Sequence, residues 1–511
     1  MIDIQKALDK FGMGSGDILS GSYSQTGGWS KTENREVFDA TCPADGKVVA
    51  RVAGATADDY DQIIKDAVAA QKKFRMVPAP RRGELVKRIG ELMAENSDDL
   101  AIIIALDTGK TLSESKSELY ESISMATFAA GQARMLHGST QQSQRPKHRM
   151  YEQWLPVGVV GLISAYNFPA GVWAQHAFLS AIAGNTVIWK PSPKVPLTAI
   201  AVHKLAMQAM QEFGLEGVFQ LFIPLQNDVA EKLVQDRKVD IVSFTGSSNV
   251  GKKIAQIVAQ DLGRRYMLEC SGNSAIIVDE TADLKLAARS ISFSGVGTTG
   301  QRCTSARRII VHKDVANELI SLLQNSFAQL RIGDFREQGT TVGPLIDKGA
   351  LSDYHAVIAQ AKELGAELAF GGKQLDRDGF YVEPALLTGC QPDWPCVQSE
   401  TFAPVIYVMT YETIEEAIHM NNNVIQGLAA GIQSTSLSNI ELFLSAEGND
   451  CGIAKVNMGT TGADVGSAFG GEKETGGGRT AGSDAWKGYM RRQSVCVNWG
   501  GTNPWDSIIK L

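Results

Sequence analysis

From Thr56 to about Gly138 apolar residues recur at helical spacing, and Thr56-Ala-Asp-Asp reads as a capped helix start. Further amphipathic helices are predicted over 81–95, 97–108 and 111–136. The rhythm then changes. Short apolar runs at 154–165, 185–190, 218–223, 239–244 and 274–278 read as buried strands, and they alternate with helical stretches at 173–182, 197–213, 227–236 and 251–262. Strands separated by helices at this spacing make βαβ units and a parallel sheet. A second such series runs from 283 to about 456, with helices at 283–297, 314–330, 350–364 and 413–421 and strands at 308–312 and 404–409. Two α/β domains follow. Residues 1–55 read as irregular or strand-like, and the glycine-dense segment 457–485 as an ordered functional loop or a domain-crossing linker. The polar, alternating stretch 139–155 is expected to pair with the strand-like 494–499, and edge strands of that kind need a partner.

Composition narrows the class without choosing within it. The chain has 511 residues, 44% of them hydrophobic and 21% charged, which is ordinary for a globular protein of two or three domains. A net charge of −7 gives no reason to expect nucleic acid or an anionic membrane. Seven cysteines with no C-x-x-C pair suit reduced thiols, and the seven histidines form no H-E-x-x-H or comparable set, so no metal is expected. No secretory signal and no spanning segment is read, which makes a cytoplasmic protein the expectation.

The chemistry centres on Gly295-Val-Gly-Thr-Thr-Gly-Gln-Arg-Cys303-Thr-Ser-Ala-Arg-Arg308. A thiol attacks as its thiolate, and nearby positive charge lowers its pKa. Arg302, Arg307 and Arg308 are expected to act in this way on Cys303. The competing reading, a small buried hydrophobe, sits poorly with polar neighbours on both sides. Gly246-Ser-Ser-Asn-Val-Gly251-Lys252-Lys253 approaches a phosphate loop but has Lys253 where a Mg²⁺-binding hydroxyl would stand. It keeps the phosphate-binding feature of a glycine turn opening a helix. Gly295-Val-Gly297-Thr-Thr-Gly300 spells G-x-G-x-x-G after a helical pattern, the wrong context for a dinucleotide fingerprint. Glu269, between helix and strand, fits a general base or a solvated loop glutamate. Asn167 fits an oxyanion donor or a turn asparagine. Lys190 and Glu400 are equally open when taken singly.

Taken together, Ala165-Tyr-Asn-Phe-Pro169, Trp189-Lys-Pro-Ser192, Phe244-Thr-Gly-Ser247, Gly300-Gln-Arg-Cys-Thr304 and Glu400-Thr-Phe-Ala-Pro404 follow a known order and spacing. They resemble the NAD(P)-dependent aldehyde dehydrogenase superfamily over nearly the whole chain. The ending, 468–492, resembles the antiquitin-type α-aminoadipic semialdehyde (piperideine-6-carboxylate) dehydrogenases. The resemblance implies two Rossmann-like parallel-sheet domains plus a small β oligomerisation arm. The NAD-binding domain would take 1–138 and 156–279, the catalytic domain 280–485, and the arm 139–155 and 486–511 of a homodimer or homotetramer. It makes Cys303 the nucleophile, Asn167 with the Cys303 N–H the oxyanion donors, and Glu269 the base for deacylation. Lys190, Ser192 and Glu400 would bind the cofactor's ribose side, Phe402 would brace the nicotinamide, and Gly246 with Ser247 would meet the pyrophosphate. Glu121 and Arg302 would hold the substrate's amino-acid end, Thr461-Gly462-Ala463 its carboxylate, and Phe168 and Phe469 its aliphatic path. NAD is expected first and NADP second, because Pro193 stands where a glutamate often rejects a 2′-phosphate. Two further departures bear on rate and specificity. Glu269-Cys-Ser-Gly272 replaces Glu-Leu-Gly-Gly, and Gln175 replaces a pocket aromatic, with Trp173 two residues earlier. Rival readings are the same chemistry on another ω-semialdehyde or a betaine-type aldehyde, a cofactor-independent cysteine hydrolase or esterase, and a non-catalytic binding protein.

Overall fold

The structure, a computed structural model, describes residues 2–462, 464–501 and 508. Four helices, Ala57–Phe74, Ala79–Glu95, Ser97–Thr108 and Leu112–Gln132, fill the first helical run. Two of them start on full capping boxes, Thr56 with Asp59 and Thr111 with Glu114, which satisfy backbone donors that an open helix end leaves free. The segment before them is not wholly irregular. Ile4–Lys10 is a helix, its start fixed by Asp3 accepting the Lys6 N–H and its Ala7 and Leu8 buried.

Five parallel strands form the centre of an eight-stranded sheet, in the spatial order Arg265–Glu269, Ile241–Thr245, Val159–Ile163, Thr186–Lys190, Phe219–Phe222. The chain enters at the middle strand, builds outward on one side, then crosses back to build the other. Helices cover both faces: Ala57–Phe74, Asn227–Gln235 and Ser248–Val258 on one, Pro169–Ile182 and Pro196–Phe213 on the other. The strand Arg265–Glu269 escapes sequence reading because it lies at the edge of the parallel set, with Arg265 and Tyr266 exposed, so its apolar signal is broken. Its open side is closed by Gly476–Gly477, which pairs antiparallel with Leu268 and Glu269 from almost the far end of the chain.

A second, seven-stranded sheet is built from Ser274 onward. Alternate residues of its central strands serve opposite cores. Ala275, Ile277 and Ile310 face one and Ile276, Val278 and Ile309 the other, the pattern of a sheet buried on both faces. Its four missed strands, Glu367–Gly371, Ala385–Thr388, Ala429–Gln433 and Ile453–Val456, are short and carry Ala or Gly, which weakens the β signal. The expected hairpin exists: Met490–Asn498 pairs antiparallel with His148–Pro156, and Thr140–Gln142 adds a third strand. Among the described residues no helix is long and apolar enough to cross a membrane, and no group of three or more His, Cys, Asp or Glu is placed to hold a metal.

Candidate active site

A cleft of about 1360 Å³ opens where the strands Val159–Ile163, Thr186–Lys190, Ile241–Thr245 and Arg265–Glu269 end, with the second sheet's loops as its other wall. Ligands of open parallel sheets bind at the carboxyl ends of the strands, where the strand order reverses. Cys303, Asn167 and Glu269 all line this one cleft.

Cys303 is delivered by an unusual turn. The helix Leu284–Val296 stops at Gly297, and Thr298, Thr299 and Gly300 follow in the left-handed region with φ of 54°, 56° and 68°. Two β-branched residues there cost of order 1–3 kcal/mol each and persist only when clamped. The clamps are visible. The Thr298 N–H donates to Glu114 Oε1 at 2.6 Å and Thr299 Oγ1 to the Gly343 carbonyl at 2.8 Å. Gly300 is held so close to Ala403 that a Cβ would lie 2.5 Å from its carbonyl carbon, so no other residue fits.

The run of arginines does not act as its sequence suggests. Arg308 spends its guanidinium on the carbonyls of Asn273, Met420 and Asn421. Arg302 donates Nε to Thr298 Oγ1. Arg307 donates to the carbonyls of Gly300, Arg302 and Ala403 and reaches Glu400 at 3.6 Å. Burial and the charges of Glu269 and Glu400 push the Cys303 thiol well above its ordinary range, while the Thr304 N–H and Arg307 pull it back only in part. The thiol is partly exposed to the cleft, but in this form it is not a resting thiolate.

Glu269 is the last residue of its strand rather than a loop residue. It is 3% exposed, and neither carboxylate oxygen makes a well-formed hydrogen bond among the described residues. Burial lifts its pKa to about 8, offset in part by the Gly471 N–H and Arg479. A buried carboxyl with that poise and no well-formed hydrogen bond is suited to exchange a proton with water in the cleft. Asn167 lies four residues past its strand, in the turn before the helix Pro169–Ile182. One N–H of its amide donates to the Gln301 carbonyl at 3.0 Å, which orients the other.

Two residues with no place in the sequence reading fix that turn. Glu118 Oε1 accepts the N–H groups of Ala170 and Gly171 at 2.8 and 3.0 Å, capping the helix behind Asn167. Its Oε2 is paired with Lys110 Nζ at 2.6 Å in full burial, and Lys110 lies 3.7 Å from the centroid of the Phe168 ring. The signal was present. Ser115, Glu118, Leu119, Ser122, Met125 and Ala126 share the buried stripe of one helix, and a glutamate on such a stripe must be paired.

Groups suited to a dinucleotide line the same cleft. Among the described residues Lys190 Nζ has only the Pro191 carbonyl, at 3.5 Å, and burial lowers its pKa to about 8. Glu400 accepts the Gly272 N–H at 3.1 Å, and burial raises its pKa against the pull of Arg307. Ser247 caps the helix Ser248–Val258 without using its side chain, and Gly246 leaves no room for a Cβ, which would sit 2.5 Å from the Phe244 ring. Ser192 and Phe402 also border the cleft, Phe402 edge-on to Tyr166. An ammonium, a carboxylate and an open helix N-terminus are the groups that riboses and a pyrophosphate require. Lys252 is engaged elsewhere, paired with Glu474.

At the other end of the cleft lie Glu121, Phe168, Arg302, Gly462 and Phe469. Arg302 sits between the Phe168 and Phe293 rings, 5.5 and 5.3 Å from their centroids. Glu121 Oε1 accepts the Gln175 Nε2–H at 2.8 Å. Gln175 therefore enters the cleft wall, whereas Trp173 is buried in the core against Trp189 and Phe219 and does not stand in for a pocket aromatic. Thr461 is buried with its hydroxyl toward Ser294, off the cleft wall. Ala463 lies outside the described residues.

A parallel-sheet cleft lined by a cysteine, an oriented amide and a buried carboxyl belongs to an α/β fold and is suited to acyl-thiol chemistry. Residues 29–495 match the aldehyde dehydrogenase family, and the chain belongs to that family. It is 41% identical to pea aldehyde dehydrogenase family 7 member A1, over 97% of this chain and 96% of that one. It is 40% identical to mouse alpha-aminoadipic semialdehyde dehydrogenase, over 93% and 88%. Among solved structures it superposes on Staphylococcus aureus betaine aldehyde dehydrogenase in complex with NAD+ with a TM-score of 0.91, at 27% identity, covering 98% of this chain and 99% of that one.

Proposed function

We propose that this NAD(P)-dependent aldehyde dehydrogenase oxidises α-aminoadipic semialdehyde to α-aminoadipate, a step of lysine breakdown. The observation that carries this is a single cleft holding Cys303, Asn167 and Glu269 between a dinucleotide-type half and a pocket bearing Glu121 and Arg302. The mouse relative's name supports the substrate, and the Staphylococcus aureus neighbour bound to NAD+ supports the cofactor. NAD is taken as the first cofactor, and NADP is kept as the second because Pro193 offers no carboxylate to repel a 2′-phosphate. Lys190, Ser192, Glu400, Phe402, Gly246 and Ser247 would hold it, and when bound it supplies the hydride acceptor.

The chain's own residues perform the rest. The Cys303 thiol gives up its proton to water in the cleft and the resulting sulfur anion bonds to the aldehyde carbon, and the carbonyl oxygen, now negative, is met by the second Asn167 N–H and the Cys303 backbone N–H. Once the carbon is oxidised to a thioester, Glu269 takes a proton from water. The water oxygen bonds to the acyl carbon, the C–S bond breaks, and the acid leaves with the thiolate restored. Arg302 and Gly462 would bind the substrate's carboxylate, and Glu121 its ammonium. Phe168 and Phe469 would flank the methylene chain.

A panel of aldehydes tests the substrate. A charged hydrogen bond is worth about 1.5–3 kcal/mol, so Arg302→Ala should lower kcat/KM for α-aminoadipic semialdehyde roughly 10- to 100-fold, mainly through KM. It should leave an uncharged aldehyde of equal length nearly unaffected. Equal wild-type activity on the uncharged aldehyde, or on other ω-semialdehydes and betaine aldehyde, removes the assignment. The pH profile tests the base. Glu269 is protonated below its raised pKa and ionised above it, so turnover limited by thioester hydrolysis should climb with pH and reach half its maximum near 8. A flat profile across that range would sink this role.

The sheets support a cofactor domain, a catalytic domain and an arm (139–155 and 486–511), but they correct the expected boundary at 279/280: Ser274–Val278 pairs within the second sheet, so the cofactor domain's parallel sheet ends with Arg265–Glu269 and the catalytic domain begins before Ser274. Among the described residues the strand Met490–Asn498 lies at the edge of its three-stranded sheet, and Trp499 beside it is 67% exposed. This supports a homodimer or homotetramer in which a second copy covers that edge.

A further inference from the structure

Neither carboxylate oxygen of Glu269 makes a well-formed hydrogen bond among the described residues, and only the nearby Gly471 N–H and the charge of Arg479 favour its ionised form. The main chain that carries it is fixed from both sides. On one side the Glu269 carbonyl accepts the Gly246 N–H at 3.0 Å. On the other, Thr475 grips the two residues that follow. Its carbonyl accepts the Cys270 N–H at 2.7 Å, and its Oγ1 donates to the Ser271 carbonyl at 2.8 Å. The same Oγ1 accepts the Gly427 N–H at 3.0 Å, tying the segment to the second sheet's domain. Thr475 is fully buried, and Gly471 presses so close that a Cβ there would lie 2.2 Å from Thr475 Cγ2. The neighbouring Gly476 runs against Leu268, where a Cβ would meet the Leu268 carbonyl oxygen at 2.0 Å. Ser271 passes the link onward, its Oγ accepting the Ser248 N–H at 3.2 Å at the start of the helix facing the cofactor half of the cleft.

We infer that Thr475 is a positioning residue for the base Glu269: its hydroxyl locks the 269–271 backbone between the two domains and so sets where the carboxylate meets water. The inference rests on the aldehyde dehydrogenase reading and on Glu269 acting in thioester hydrolysis. Thr475→Val keeps the shape but removes the hydroxyl, leaving the Ser271 carbonyl and the Gly427 N–H unpaired. Thr475→Ser keeps both hydrogen bonds. Misplacing a reacting group by about 1 Å costs on the order of 10²-fold, and here the loss should fall on one step alone.

The experiment is stopped-flow NADH formation with NAD and substrate aldehyde, combined with intact-protein mass spectrometry. Thr475→Val should keep the rate of the first-turnover burst within about 3-fold, lose about 10²-fold in steady-state turnover, and accumulate an acyl adduct on Cys303. Thr475→Ser should follow the wild type in both phases. Added to Glu269→Gln, Thr475→Val should cause little further loss, because both act on one step. A parallel fall of burst and turnover, additive losses with Glu269→Gln, or a change confined to thermal stability overturns the inference. Absence of any NAD-dependent burst in the wild type would instead overturn the activity on which it stands.

Discussion

Cys303→Ala is expected to bring aldehyde oxidation to background, a loss on the order of 10⁶-fold in turnover if the thiol carries the reaction as nucleophiles of this kind do. Cofactor affinity, read from fluorescence quenching, should change little, because Lys190, Glu400 and the helix Ser248–Val258 are untouched. Alkylation gives an independent reading. In the cofactor-free wild type the thiol sits between two carboxylates and is held above its ordinary range, so its rate of carboxymethylation should be slow at neutral pH and still rising in mild alkali. A variant that keeps more than a few per cent of activity would show that another group forms the covalent bond.

The second large effect is expected at Asn167. Removing one oxyanion donor costs about 10²–10³ in kcat, and Asn167→Ala should show that loss already in the first-turnover burst, before hydrolysis contributes. Thermal stability should fall only modestly, since the helix start behind it is held independently by Glu118 and Lys110. A loss of less than about 5-fold would place the oxyanion elsewhere. The contrast with Thr475→Val is useful, as one variant slows capture of the aldehyde and the other its release.

The alternation of strands and helices was legible because buried parallel strands are continuous apolar runs, and Val159–Ile163, Thr186–Lys190 and Ser274–Val278 stand out on that ground alone. The strand that carries Glu269 did not, since it borders solvent and is completed by residues two hundred positions away. The cysteine turn was legible as chemistry and misread as electrostatics. Arg307 and Arg308 sit on a strand, so alternate side chains leave for opposite faces, and their partners are carbonyls that no local pattern discloses. Gln175 looked like the loss of a pocket aromatic, and only the three-dimensional arrangement shows it holding Glu121. Lys110 and Glu118 went unread because a buried ion pair separated by eight residues resembles an ordinary surface pair until the helix face is known.

The antiparallel pairing of Gly476–Gly477 with Leu268–Glu269 also bears on how the molecule is made. A ribosome releasing this chain from its amino end delivers the first sheet early, yet that sheet keeps a raw margin at Leu268–Glu269 until Gly476–Gly477, about two hundred residues further on, has emerged. Stalled or truncated products lacking those final residues would carry the cysteine turn and most of the cleft, but not the seam that seats the proton acceptor. The edge beside Glu269 is therefore closed late, by a segment the chain makes long after the cysteine turn.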